Sequence, residues 1–268
     1  MTNSMTYETI IVETANHIAT VTINRPAAMN SFTARMMEEF AYFWRHAAEN
    51  DDIHVVVLRA APGRAFSTGV DVKAAGEPGG QIFHDNVFTA ADPGEKLGPK
   101  ANQCWKPVIV AVHGLCGGGA FYWVNEADIV IAAEDAAFFD PHVTYGLTAA
   151  LEPIGLTYKV PLGDVLRMAL LGNDERISAL TALRIGLVSE VLPLEELWPR
   201  AQALAEIIAV KPAAAIQGSV KAIWESLDLP RSVALRTGMK YCQIGNPIGT
   251  AQVDRAAIMG KQKTYSTR

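Results

Sequence analysis

The chain has 268 residues, of which 50% are hydrophobic and 19% charged. That length suits one or two domains of roughly 150 residues, or a single α/β domain of about 250, and the apolar content excludes a disordered chain. Lys plus Arg number 23 and Asp plus Glu 28, a net charge of −5 with no basic run, which argues against a nucleic-acid partner.

The first ten residues show no basic region leading into an apolar run, so no signal peptide is expected. Residues 8–14 and 17–23 read as two strands around a short turn, both rich in Ile, Val and Thr. Residues 33–49 switch to helical spacing, with Met37, Phe40, Ala41, Trp44 and Ala48 on one stripe. The apolar runs in 54–60, 108–112 and 128–133 suit strands covered on both faces, as in a parallel sheet. The stretch 73–101, rich in Gly and Pro, reads as a long, partly mobile loop with one helix. Beyond Pro153 the pattern becomes helical. One helix closes at Gly172 and another runs from Ser178 to Gly186, with Ser as N-cap and Gly past the end. A short strand VSEVL follows, then helices over 199–210, 212–227, 231–243 and 247–263. No apolar run approaches the ~18 residues of a membrane span. Cys104, Cys116 and Cys242 are odd in number with no CxxC, so neither a disulfide framework nor a zinc site is expected, and the setting is a reducing cytosol.

Phosphate-loop, dinucleotide, nucleophile-elbow and zinc-protease signatures are absent. Two glycine-bearing turns remain. Phe66-Ser67-Thr68-Gly69-Val70-Asp71 follows one apolar strand, and His113-Gly114-Leu115-Cys116-Gly117-Gly118-Gly119 follows another. Both expose backbone N–H groups, the second at a helix N-terminus, and two such turns side by side can clasp one oxyanion. Taken singly, each is equally an ordinary turn.

In this order and context the motifs resemble the crotonase superfamily, which includes the enoyl-CoA hydratases and isomerases. Asn24-Arg25-Pro26-x-x-Met29-Asn30-Ser31 is similar to the family's NRPxxxNA stretch, and Phe66 to Val72 to its FxxGxDL turn. Lys106 to Gly114 is similar to its KPVIAAVNG strand and turn, and Arg176 to Val188 to its RISAxxAxxxGLV segment. The resemblance covers nearly the whole chain. It implies an α/β fold, the crotonase-like (ClpP/crotonase) spiral of ββα units, over residues 1–200, with a C-terminal helical trimerisation region over 201–268. It also implies an acyl-CoA thioester as substrate, whose enolate oxyanion is held by the N–H groups of Val70 and Gly119. Counting from the glycine triplet rather than from Asp128 moves the second donor to Gly118.

The hydratases carry two glutamates as general acid and base. In the first slot this chain has Tyr122 (or Phe121 in the other register), and in the second, after Phe138-Phe139-Asp140-Pro141, it has His142. That departure argues against simple hydration by paired carboxylates. His142 is the replacement base, since imidazole titrates near neutrality; the alternative is a packing histidine. Glu152 stands where the family has a small glycine-rich turn and is read as the partner that orients His142 or positions water, or else as a residue that merely precedes Pro153 at a helix start. Relatives that cleave β-diketone carbon–carbon bonds carry a His and an acid in these two slots. Tyr122 joins His142 and Glu152 as a catalytic candidate. Asp140 is read as lining the pocket or capping a turn, and His84 as a solvated loop residue. The resemblance further implies contacts to the CoA substrate from Arg25, Ala28, Ser67, Thr68, Asp71, Val72, Gly118, Tyr145 and Lys261. No cofactor is expected, because coenzyme A enters with the substrate. The remaining expectations are a cytoplasmic homotrimer or dimer of trimers, with an enoyl-CoA hydratase/isomerase-type reaction, carbon–carbon hydrolysis and non-catalytic acyl-CoA binding all open.

Overall fold

The computed structural model describes residues 5–78, 80, 82, 86, 88, 91–260 and 267. The chain opens with a hairpin of β1 (Ile10–Ala15) and β2 (Ile18–Ile23), whose turn places Asn16 and His17 at φ of 51° and 66°, the twist a two-residue hairpin needs. Helix α1 (Ala34–Glu49) follows, capped by the Thr33 side chain, which accepts from Met36 N at 3.3 Å. Its buried seam is Met36, Met37, Phe40, Phe43, Trp44 and Ala47. The expected stripe through Ala41 and Ala48 is therefore rotated slightly, because the large Phe43 ring takes the inward position and those alanines are left at the margin.

Strand β3 (Val55–Ala60) leads to β4 (Ala65–Ser67) and a one-turn helix α2 (Val72–Ala75). A second one-turn helix, α3 (Gly94–Leu97), closes the stretch expected to hold one helix. His84 lies outside the described residues. Next come β5 (Val108–Val112), β6 (Leu115–Gly117), α4 (Phe121–Glu126), β7 (Ile129–Ala133) and β8 (Ala137–Phe139). Helices α5 (Leu151–Leu156) and α6 (Leu162–Leu171), strand β9 (Ile177–Ser178), α7 (Ala179–Arg184), β10 (Glu190–Leu192) and α8 (Leu194–Ala209) complete the first unit.

Two sheets result. The larger has the order β1-β2-β3-β5-β7-β10, parallel from β2 onward. Its strands alternate between two apolar layers, as strands covered on both faces do. Val56, Leu58 and Val110 face α1 and the aromatic core around Trp44 and Trp123, while Val55, Val57, Ile109 and Ile131 face Leu197, Ala201 and Ala205 of α8. The smaller sheet has the order β4-β6-β8-β9, with β4, β6 and β8 parallel. Its three-residue strands fall in segments that look like turns in the sequence, because their length and glycines hide the alternation.

The chain divides into compact units at Ala209/Val210, not at residue 200. The reason is α8: the expected boundary falls inside it, and its Leu197–Ala209 face belongs to the sheet's core. The second unit holds α9 (Ala213–Glu225), α10 (Arg231–Ala251) and α11 (Arg255–Met259). The expected break near Pro247 does not occur. Gly245 and Gly249 lie against Ala214 and Ala215 of α9, so α10 stays packed beyond the proline. No single helix among the described residues is long and apolar enough to cross a membrane.

Candidate active site

The first glycine turn leaves β4 at Ser67. Ser67 is buried and its Oγ accepts from Gly69 N at 3.2 Å, so this side chain is spent on its own turn. Gly69 adopts φ +85°, and a Cβ there would stand 2.8 Å from Gly119 N. Only glycine allows both the left-handed backbone and this approach. The next residue, Val70, bridges Phe32, with Phe32 N donating to Gly69 O and Asp71 N to Phe32 O. Among the described residues Val70 N donates to no protein acceptor.

Arg25 fastens this turn from below. Its Nη2 meets Asp71 Oδ2 at 2.9 Å and its Nη1 donates to Ser31 O at 2.5 Å. The fork expected to meet CoA phosphates is thus filled within the chain. Asp71 also caps α2, accepting from Ala74 N at 3.1 Å. Burial works to raise its pKa, and the Ala74 amide and Arg25 outweigh that and hold the carboxyl below the ordinary range. Ala28 and Thr68 are half-buried in the same two loops, and Val72 projects into solvent.

The second glycine turn leaves β6. Gly118, at φ +54°, and Gly119 begin a single 3₁₀ turn that runs into α4. Amides in the first turn of a helix have no intrahelical partner, and Gly119 N is one of them. The contact between Gly69 and Gly119 brings the two turns together.

The third contribution leaves β8. Asp140 is fully buried and its Oδ1 accepts twice from His142, from the backbone N at 2.9 Å and from Nδ1 at 2.6 Å. A carboxylate on Nδ1 fixes the tautomer, so Nδ1 carries the proton and Nε2 the lone pair. Nε2 points to Glu152 Oε1, 3.8 Å away. The His142 ring lies over the second glycine turn, its Cε1 3.9 Å from a Cβ built on Gly118. The partner that orients His142 is therefore Asp140, two residues away, and not Glu152, whose α5 position puts it across from the opposite ring nitrogen. The Asp140 hydrogen bond is the main cause that raises the His142 pKa; burial opposes it, and the charges of Asp140 and Glu152 add to it.

Glu152 is buried in the first turn of α5, where Asn125 Nδ2 of α4 grips its carbonyl at 2.9 Å. Burial raises its pKa; its own amide and His142 oppose this, and Asp140 and Asp92 reinforce it. Tyr122, on α4, sets its ring edge against the Asp92–Gly94 turn, and burial first, then the charge of Glu152, pushes the phenol far above its ordinary pKa. Asp92 escaped the sequence reading. Its one signal is an Asp ahead of Pro93-Gly94, a turn-forming pattern that says nothing of what the carboxylate faces.

The structure thus gathers Val70, Gly118, Gly119, Tyr122, His142 and Glu152, adds Asp140 and Asp92, and leaves Tyr145 exposed to solvent. Lys261 lies outside the described residues. Asp140, His142 and Glu152 offer ligand atoms within 4.8 Å of one another. The 2.6 Å contact between His142 Nδ1 and Asp140 is a proton-bearing hydrogen bond, so a divalent ion would have to break it, and the donor set fits proton transfer better than metal binding.

Comparison with known proteins agrees with this architecture. The profile of the enoyl-CoA hydratase/isomerase family matches residues 13–244, and the chain belongs to that family. It is 32% identical over 236 residues, 88% of each chain, to the (E)-benzylidenesuccinyl-CoA hydratase of Thauera aromatica. It is 33% identical over 253 residues to the (7aS)-7a-methyl-1,5-dioxo-2,3,5,6,7,7a-hexahydro-1H-indene-carboxyl-CoA hydrolase of Rhodococcus jostii, covering 93% of this chain and 94% of the other. The crystal structure of an enoyl-CoA hydratase/isomerase from Mycobacterium paratuberculosis superposes with a TM-score of 0.83 at 32% identity, covering 98% of this chain and all of that one. The fold is the crotonase-like spiral.

Proposed function

We propose that the protein is an acyl-CoA enzyme that adds water to its substrate, with the thioester oxygen received by Val70 N and Gly119 N. The observation that carries this reading is the line Asp140–His142–Glu152 beside the two glycine turns. Asp140 holds the imidazole with Nε2 outward as a base. The 3.8 Å between Nε2 and Glu152 Oε1 is too long for a direct hydrogen bond and suits an atom touching both, such as the oxygen of a water. Electron density released at the α-carbon moves onto the thioester oxygen, where two fixed amides stabilise it without reorganising. His142 does here what the second glutamate does in the hydratases.

Two acceptors for the water are compatible with this arrangement, an enoyl double bond or a β-carbonyl. In the first, hydroxide adds to the β-carbon and the enolate is protonated. In the second, hydroxide adds to the ketone, the adjoining carbon–carbon bond breaks toward the thioester, and the same enolate forms. Similarity to a hydrolase of a ring-bearing dioxo acyl-CoA favours keeping the second reading. The family's hydratases favour the first.

Coenzyme A arrives with the substrate, and Ala28, Thr68, Asp71, Val72 and Gly118 edge its path. Self-association into a trimer or a dimer of trimers fits the apolar faces left in solvent, Leu162, Leu166 and Leu170 on α6 and Leu235, Met239 and Ile248 on α10. Free thiols at Cys104, Cys116 and Cys242 support a cytosolic setting.

The test is a screen of enoyl-, β-keto- and cyclic diketo-CoA thioesters with the wild-type protein and His142→Ala. Turnover of one class that collapses in the variant is the expected result. Full turnover by His142→Ala would overturn the assignment, and tight thioester binding without turnover of any class would make the protein an acyl-CoA binder.

A further inference from the structure

The chain segments that build the site supply acids and no permanent cation. The second glycine turn, α4, β8 and α5 all lie between Lys106 and Lys159, and no lysine or arginine stands between those two residues. None stands between Lys73 and Lys96 either, the stretch that brings Asp92. Cations that border these stretches are engaged elsewhere. Arg25 is closed on Asp71 and Ser31 O, Lys106 Nζ donates to Asn50 O at 2.6 Å, and Lys159 Nζ donates to Ala127 O at 2.7 Å. Three carboxylates face this lack. Asp140 is fully buried, with Oδ1 on His142 and Oδ2 without a hydrogen-bond partner among the described residues. Glu152 Oε1 lies 3.8 Å from His142 Nε2. Asp92 stands across the Tyr122 ring from the second glycine turn. A Cβ on Gly119 would lie 3.4 Å from Tyr122 Cε2, and a Cβ on Gly94 would lie 2.6 Å from Cδ1 at the other edge and 3.2 Å from Asp92 Oδ2. One imidazole cannot balance three carboxylates. The segment that joins His142 to Glu152, residues 143–151, holds no charged residue and leaves Val143, Leu147 and Leu151 in solvent.

We propose that the acyl group taken at this site is uncharged and apolar, and that Asp92 and Glu152 exclude acyl-CoA thioesters carrying a second carboxylate. The inference rests on the proposed acyl-CoA reading and adds the chemical class of the acyl group. A thioester oxygen between Val70 N and Gly119 N sets the reacting carbons at His142 and Glu152, so the atoms beyond them run on into the field of the three acids. A carboxylate on those atoms meets like charges where burial weakens screening, and repulsion there is several-fold stronger than in bulk water. No lysine or arginine of these segments is at hand to pair with it. His142 could match it only as imidazolium, the form that is no longer a base. An enoyl or keto chain, or a ring, carries no such penalty and finds the uncharged 143–151 segment beside it. Discrimination of this kind comes from repelling the wrong ligand rather than from added contacts to the right one.

The experiment measures binding, so it needs no turnover. Calorimetric affinities are compared for three saturated thioesters: butyryl-CoA, glutaryl-CoA and the ω-amide of glutaryl-CoA, which has the shape of the acid without its charge. The amide is expected to bind about tenfold more tightly than the acid, or better. Asp92→Asn and Glu152→Gln should each narrow that ratio by about threefold or more, by raising affinity for the acid while affinities for the amide and butyryl-CoA hold. Asp92→Glu keeps the charge and should keep the ratio wide. Glu152→Gln serves alone if Asp92→Asn does not fold. Glutaryl-CoA bound as tightly as its amide overturns the proposal, as does a ratio that either folded variant leaves unmoved. If butyryl-CoA and the amide do not bind at all, the acyl-CoA reading itself fails and this proposal with it, so the two failures are told apart.

Discussion

Asp140→Asn separates the orienting acid from everything else in the site. The amide has the shape of the carboxylate, and Asp140 is fully buried with two hydrogen bonds from His142, so packing is conserved. What changes is the proton inventory. The amide oxygen can keep both His142 bonds, but it carries no charge to stabilise the imidazolium formed when Nε2 takes a proton; with the amide turned round, its NH₂ faces Nδ1, leaves the proton on Nε2 and gives up the backbone N–H bond. Either way the base is weakened. General acid–base groups contribute ~10²–10⁴-fold, so kcat/KM should fall by that factor, about 3–5 kcal/mol of transition-state stabilisation. The Asp140 hydrogen bond is also the main cause that raises His142. A base works in its neutral form, so its pKa sets the acid limb of the rate profile, and in residual Asp140→Asn activity that limb should move to lower pH. The assay is steady-state kinetics across pH on the thioester the screen identifies, with calorimetric binding of the same thioester as control. Wild-type kcat/KM with an unmoved acid limb would refute the claim that Asp140 governs His142.

Three other expectations follow from particular contacts. His142→Ala and Glu152→Gln should each lower turnover by at least ~10²-fold while leaving thioester affinity within a few-fold, since neither belongs to the pair of amides; loss of affinity equal to the loss of turnover would argue for a binding role instead. Gly69→Ala meets both a positive φ and the Gly119 amide 2.8 Å from the new Cβ, so thermal unfolding should show at least ~1–3 kcal/mol of destabilisation together with lost activity, and a native melting temperature would contradict the approach of the two turns. His113 is buried, and burial lowers its pKa against the pull of Asp135. The unfolded chain therefore binds a proton that the folded one resists, and stability falls as pH drops below the ordinary histidine value near 6.5. Urea unfolding at pH 7.5 and 5.5 should show a smaller acid loss in His113→Phe than in the wild type, and equal losses would rule His113 out.

The parts of this molecule legible in its sequence are those where neighbours in the chain decide the outcome. The apolar runs of β3, β5 and β7 announce strands covered on both faces, and Thr33 and Ser178 announce helix starts. The two glycine turns and His142 stand out for the same reason. The strands β4, β6 and β8 do not, because three residues are too few to show a period. The continuity of α10 through Pro247 is set by glycines packed on α9, a tertiary effect that overrides a local breaker. Asp92 meets Tyr122 from thirty positions away, which no spacing rule reports. Asp140 was visible next to His142, yet which acid would take Nδ1 depended on the fold of the 3₁₀ turn that follows β8.

The three contributions to the site leave the small sheet at the same end of three adjacent parallel strands. Val70 follows β4, Gly119 follows β6 and His142 follows β8. Neighbouring strands in any sheet stand about 4.8 Å apart. The sheet therefore works as a ruler, and the spacing of the proposed amide donors and the proposed base is inherited from backbone hydrogen bonding rather than tuned by loop sequence. Under the proposed reading, a chain built on such a ruler exchanges the tool at its third mark, glutamate for histidine with a carboxylate behind it, while the first two marks stay in register. Changes of chemistry then cost little in fold, and the first places to look for divergent reactions among similar chains are the few residues just past β8 and the turn at the start of α5.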